Sequence, residues 1–101
     1  MNYVHSTDFN AGFICNKVER IAFSILKDKQ PEMEVSQIVI PIIQVFPKMC
    51  SDEEEKRIVE DIVQTVCKHF DAIFRKTLCL NYECKRDKRY FTFNFEITRK
   101  R

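Results

Sequence analysis

Apolar and polar positions alternate in the last quarter of the chain: Leu78, Leu80 and Tyr82 form one run, and Phe91, Phe93, Phe95 and Ile97 a second, with Lys85-Arg86-Asp87-Lys88 between them. A period of two on both sides of a polar break predicts an antiparallel β-hairpin with one apolar face. An isolated hairpin is marginal in water, so the rest of the chain or a partner must cover it. For both strands to turn their apolar residues to one side, Tyr82 is expected opposite Phe91, Leu80 opposite Phe93 and Leu78 opposite Phe95. Without Gly or Asn between the runs, a four-residue loop over Lys85–Lys88 built on a type I turn fits better than a two-residue primed turn. The far face then shows Asn81, Glu83, Tyr90, Thr92, Asn94 and Glu96, a solvated surface.

Upstream the period lengthens to three and four. Phe9, Phe13, Ile14, Val18, Ile21, Ala22, Ile25 and Leu26 predict an amphipathic helix from about Thr7 to Lys29, with Ser6 or Thr7 as its cap. Phe23 falls off this stripe and is expected either under the middle segment or on a contact surface. A second long helix is marked by Ser51 with Glu54 three residues later, a capping box, and by Asp52, Glu53 and Glu55 at the positive end of the dipole. Its stripe runs from Ile58 through Ile62, Val66 and Phe70 to Phe74, long enough to cross the hairpin.

Between the helices, Pro31 to Pro47 gives mixed signals. Pro31, Glu32 and Glu34 suit a helix start, whereas Ile38-Val39-Ile40 is β-branched and Pro41 would interrupt a helix. The segment is read as a kinked helix ending before Pro47, with an edge strand as the alternative, since Pro41 would confine a strand to an edge or a bulge. The expected fold is therefore α+β: two long amphipathic helices and a short middle helix or edge strand packed on a C-terminal antiparallel β-hairpin. The expected core is Ile14, Val18, Ile21, Ile25, Ile62, Val66, Phe70, Phe74, Leu80, Phe91, Phe93 and Phe95. At 101 residues the chain suits a single domain over 1–101, with a flexible stretch at 1–6 and a basic tail at 98–101.

Composition narrows the chemistry. One glycine excludes the Gly-rich phosphate loops and the nucleophile elbow. Five cysteines without a CxxC argue against zinc and against a disulfide framework, so mostly buried, reduced thiols and an intracellular location, cytoplasmic or nuclear, are expected. No stretch is apolar enough to span a bilayer, and neither a signal peptide nor a membrane partner is expected. Charge is uneven: residues 1–74 hold 8 Lys/Arg and 12 Asp/Glu, whereas residues 75–101 hold 9 and 3. A basic end of this kind points to an anionic partner.

No catalytic constellation emerges. His69 and Cys67, two apart on a helix, point away from each other, and His5 sits in a polar terminus. An enzyme is not expected, nor a cofactor or a metal. The order of three helices and a hairpin also describes a winged-helix domain. However, Asp52-Glu53-Glu54-Glu55 would put four carboxylates where a recognition helix meets phosphates.

The edges of a two-stranded sheet are open, and charge guards them only in part. The middle segment, a second copy of the chain or an added peptide could pair there. The expected function is a small non-enzymatic protein-interaction module, an adaptor or complex subunit that binds through the hairpin edge and dimerises. Phe23, Tyr90, Thr92 and Asn94 are its contact candidates, and the Thr92 strand is taken as the free one. The competing expectation is a nucleic-acid-binding subunit. It would use Lys85, Arg86, Lys88 and Arg89 at the hairpin tip and Arg75, Lys76, Arg99, Lys100 and Arg101 at the base, roughly 23 Å away, with Tyr90 stacking on a base. The basic tail also has the composition of a short nuclear-import sequence.

The run Phe13-Ile14-Cys15-Asn16-Lys17-Val18 opening a helix, and a long helix leading through Phe74-Arg75-Lys76-Thr77-Leu78-Cys79 into a hairpin, resembles Tctex-type dynein light chains. These are small dimeric cargo adaptors, so the resemblance implies that role. The family's aromatic-Asp signature after the second strand and its last two strands have no counterpart in the sequence, and no site residue transfers.

Overall fold

The computed structural model describes residues 6–27 and 32–100. His5, Pro31 and Arg101, and the side chains of Ser6, Thr7 and Phe9, lie outside the described residues. Helix α1 spans Ser6–Leu26, strand β1 Met33–Pro41, the single turn α2 Ile42–Val45, helix α3 Asp52–Phe74, strand β2 Leu78–Arg86 and strand β3 Tyr90–Arg99. The two long helices lie on one face of a three-stranded antiparallel sheet of order β1-β3-β2.

The middle segment is thus the edge strand of the alternative reading, followed by one helical turn, and not a kinked helix ending before Pro47. Tertiary pairing decides it: β3 offers an edge on which β-branched Val35, Ile38, Val39 and Ile40 can ladder. Arg99 donates its amide to Glu32 O and Ile42 donates to Arg89 O, and hydrogen-bonded pairs alternate in an antiparallel ladder. Even-numbered residues of β1 therefore face β3, while the amides of Met33, Val35, Gln37 and Val39 point to open solvent. Pro41 falls on the outward set, so its missing N–H costs no ladder bond.

The hairpin keeps the expected faces but shifts its register by four residues. Tyr82 opposes Phe95, Leu80 opposes Ile97, and Cys84 and Arg86 oppose Phe93 and Phe91. Reversal comes later in the chain than Lys85–Lys88 because the Asp87 carboxylate accepts the amides of Arg89 and Tyr90 at 2.6 and 2.7 Å. Asp87 also donates its own amide to Tyr90 O, so the side chain supplies turn chemistry that the absent Gly would otherwise provide. A shift by an even number preserves which side chains face the helices. Strand β3 continues through Thr98 and Arg99, the first residues of the expected tail.

Helix α3 begins at the expected cap, where Ser51 Oγ accepts the amide of Glu54 at 3.2 Å. Its residues Ile62, Val66, Phe70 and Phe74 pack with Ile14, Val18, Ala22 and Ile25 of α1 over Phe91, Phe93, Phe95 and Ile97. Of the expected core only Ile21 and Leu80 remain half-buried. The helices run side by side in the same direction: His69 Nε2 meets Glu19 Oε2 at 2.8 Å, and Phe23 lies edge-on to Phe74 with centroids 5.1 Å apart. Buried Asn10, which carries no periodic signal, donates to Gln44 O and ties α2 to α1.

Candidate interaction surfaces

Helices cover one face of the sheet, so two kinds of surface remain: the sheet's other face and its edges. The open face shows Met33, Val35, Gln37 and Val39 from β1, Tyr90, Thr92, Asn94, Glu96 and Thr98 from β3, and Asn81, Glu83 and Lys85 from β2. Val35 is 63 % exposed and Val39 48 %. Polar residues dominate the β2 side, and Gln37 Nε2 donates to Asn94 Oδ1 at 2.9 Å across the β1–β3 seam.

One edge differs from expectation. Strand β3 is central and bonded on each side, so Thr92 and Asn94 lie on the open face and not at an edge. The actual edges are β1 and β2. Asp87 donates to Tyr90 O and Lys100 to Thr77 O, so the even-numbered residues Leu78 to Arg86 turn their amides outward on β2. That edge carries Glu83, Lys85 and Arg86, charges of the kind that discourage pairing. From Val35 to Ile40, by contrast, β1 has no charge at all.

The remaining candidates separate. Tyr90 stands exposed on the open face opposite Pro41. Phe23 is 41 % exposed in the groove between the long helices, against Phe74 and not beneath the middle segment.

Basic residues stay in two groups at opposite ends of the sheet, and several are already engaged. Arg86 Nη2 meets Glu55 Oε1 at 2.8 Å and its guanidinium lies 5.3 Å from the centroid of the Phe46 ring. Lys85 lies on the open face 4.0 Å from Glu83. At the base, Arg99 donates to Ile25 O and Lys100 to Arg75 O, so both satisfy carbonyls at helix C-termini. Arg75, the C-cap of α3, and Lys76 are exposed. Lys88 and Arg89 occupy the turn.

All five thiols are free, but only Cys15 is fully buried. Burial, helped by the nearby Cys67 thiol and Glu83 carboxylate, pushes the Cys84 thiol up to about 11. Burial likewise raises Cys15 and Cys67. Among the described residues no group of three or more His, Cys, Asp or Glu side chains is placed to hold a metal ion, and no helix is long and apolar enough to cross a membrane.

No family model matches the chain, and no curated protein or solved structure matches it either. The likeness to Tctex-type light chains is carried by none of these comparisons. What stands is a small, compact α+β domain.

Open edges and a bare sheet face are visible only once strand order is known. The uncharged run Val35-Ser36-Gln37-Ile38-Val39-Ile40 was the available sequence signal.

Proposed function

We propose that the domain is a non-enzymatic interaction module, an adaptor or complex subunit, that takes an extended segment of a protein partner onto the β1 edge. The observation that carries this reading is the set of outward amides at Met33, Val35, Gln37 and Val39 on a strand without charge between Val35 and Ile40. Backbone pairing would supply affinity, and the exposed side chains of Val35 and Val39 would contact alternate residues of the added strand. A second copy is also accommodated. A two-fold axis through Gln37 would set Val35 against Val39 of the copy, with like apolar groups opposed and no charge brought together. Binding of nucleic acid is the weaker reading, because the open face that bears Tyr90 also carries Glu83 and Glu96 further along its strands, and Arg86, Arg99 and Lys100 already have partners.

Two neighbouring proline variants test the proposal. Val35→Pro removes an amide that the fold does not use, so the domain should melt near the wild-type temperature yet lose its partner. Ser36→Pro removes an amide that faces β3 and should destabilise the fold itself. Affinity purification with wild-type and Val35→Pro baits, together with sedimentation of both, reads the outcome. Unchanged partners and unchanged self-association in a folded Val35→Pro domain would refute the β1 edge as the binding element.

A further inference from the structure

At the hairpin tip, away from the β1 amides, the chain encloses a cleft of about 420 Å³ between α2, the loop after it and the turn. Its apolar lining, the floor, is Ile42, Ile43 and Pro47 with the buried Phe46 ring behind them, and Ile43 is 75 % exposed. Its rim carries Lys48, Lys88 and Arg89, none of which forms an ion pair among the described residues. Two sets of backbone hydrogen bonds fix the shape. Ile42 donates its amide to Arg89 O at 2.7 Å, locking floor to rim, and Asp87 holds the amides of Arg89 and Tyr90.

One wall is Arg86, held by Glu55 and lying over Phe46. Beyond that wall a second cleft, of about 480 Å³, is lined by Asp52, Glu60 and Lys56 and has the opposite charge balance. The domain therefore presents a basic, greasy cleft beside an acidic one, divided by a single fixed ion pair.

We infer that the tip cleft binds an acidic peptide segment in which a bulky apolar side chain stands next to carboxylates. The apolar side chain would cover Ile43 and Pro47, and the carboxylates would reach Lys48, Lys88 and Arg89. Charge complementarity selects an acidic partner, and an aliphatic floor selects peptide over nucleic acid. No ring is free in the cleft to stack on a base, since Phe46 is buried beneath Arg86 and Tyr90 faces the open side of the sheet. The site does not depend on the β1 edge, so either can fail without the other.

The test uses the full chain, isotope-labelled, with four probes: an octapeptide alternating Glu and Leu, the same peptide with Lys for Glu, the same with Ser for Leu, and a short single-stranded oligonucleotide. The Glu-Leu peptide should bind and shift backbone resonances at Ile42, Ile43, Lys48 and Arg89. Reversing both rim charges, Lys88→Glu with Arg89→Glu, should weaken binding roughly tenfold or more and flatten its salt dependence. Ile43→Ser should weaken it by about tenfold with the salt dependence kept. Ile43 is exposed, and the turn is held by backbone groups and Asp87, so both variants should melt near the wild-type temperature. Absence of shifts in the cleft at millimolar peptide would overturn the inference. So would equal binding of the Glu-Ser peptide, or preference for the oligonucleotide.

Discussion

Phe93→Ala removes a ring that is 0 % exposed at the centre of the middle strand. Its ladder neighbours are Ile38 on one side and Cys84 on the other. Its ring stacks on Tyr82 at 5.7 Å with 9° between planes and lies 5.8 Å from Phe95. Hydrogen-bonded strands on both flanks hold the backbone in place, so the walls of the vacated space cannot collapse. Burial of a large aromatic residue at such a site makes its loss cost about 3–5 kcal/mol. That is a large share of the ~5–15 kcal/mol that holds a small domain. With a denaturant slope of about 1.5 kcal/mol/M, the urea midpoint should fall by roughly 2–3 M. The control is one residue away: Asn94→Ala, on the open face, loses a single exposed hydrogen bond from Gln37, worth less than about 1 kcal/mol. Midpoints that moved equally for the two variants would show that the helices do not cover the face assigned to Phe93.

Three further outcomes follow from particular groups. Ser51→Ala should lower stability by about 1 kcal/mol, read as a thermal midpoint, because the Glu54 amide loses its acceptor. Hydrogen bonds from the amides of Arg89 and Tyr90 hold the Asp87 carboxyl below its ordinary range, so the turn gains its stabilisation above that range and loses it as pH falls through the lowered value. Exchange of those two amides, taken relative to intrinsic rates, should therefore accelerate in acid and be fast at every pH in Asp87→Ala. Cys84, half-buried and pushed up to about 11, should resist alkylation at about pH 8, and rapid labelling of this thiol in the folded domain would contradict the raised value.

Much of the fold was legible because period and parity are local. The stripes of α1 and α3, the cap at Ser51 and the apolar face of the hairpin all follow from spacing. Strand register was not legible, because Asp87 acts as its own turn-former through a side-chain contact that composition does not reveal. The β1 strand was obscured by Pro41, whose effect depends on which way its nitrogen points, and that is known only once β3 is its neighbour. The candidate surfaces suffered for the same reason. With the helical reading of the middle segment preferred over the edge strand, β3 looks like an edge, and Thr92 and Asn94 take a pairing role that their central strand precludes. Lys48 and Ile43 were overlooked because the tip cleft joins residues some forty positions apart in sequence.

The most direct measurement is amide hydrogen exchange across β1, residue by residue, at a dilution where the chain is monomeric. Ser36, Ile38 and Ile40 should be protected by their bonds to β3, while Val35, Gln37 and Val39 exchange at nearly free rates. Under the proposed function, addition of a partner, or of further copies where the chain self-associates, should slow the second set to match the first. Protection of Val35, Gln37 and Val39 in the dilute monomer, or their continued fast exchange in the saturated complex, would contradict the assignment of β1 as the edge on which this domain binds.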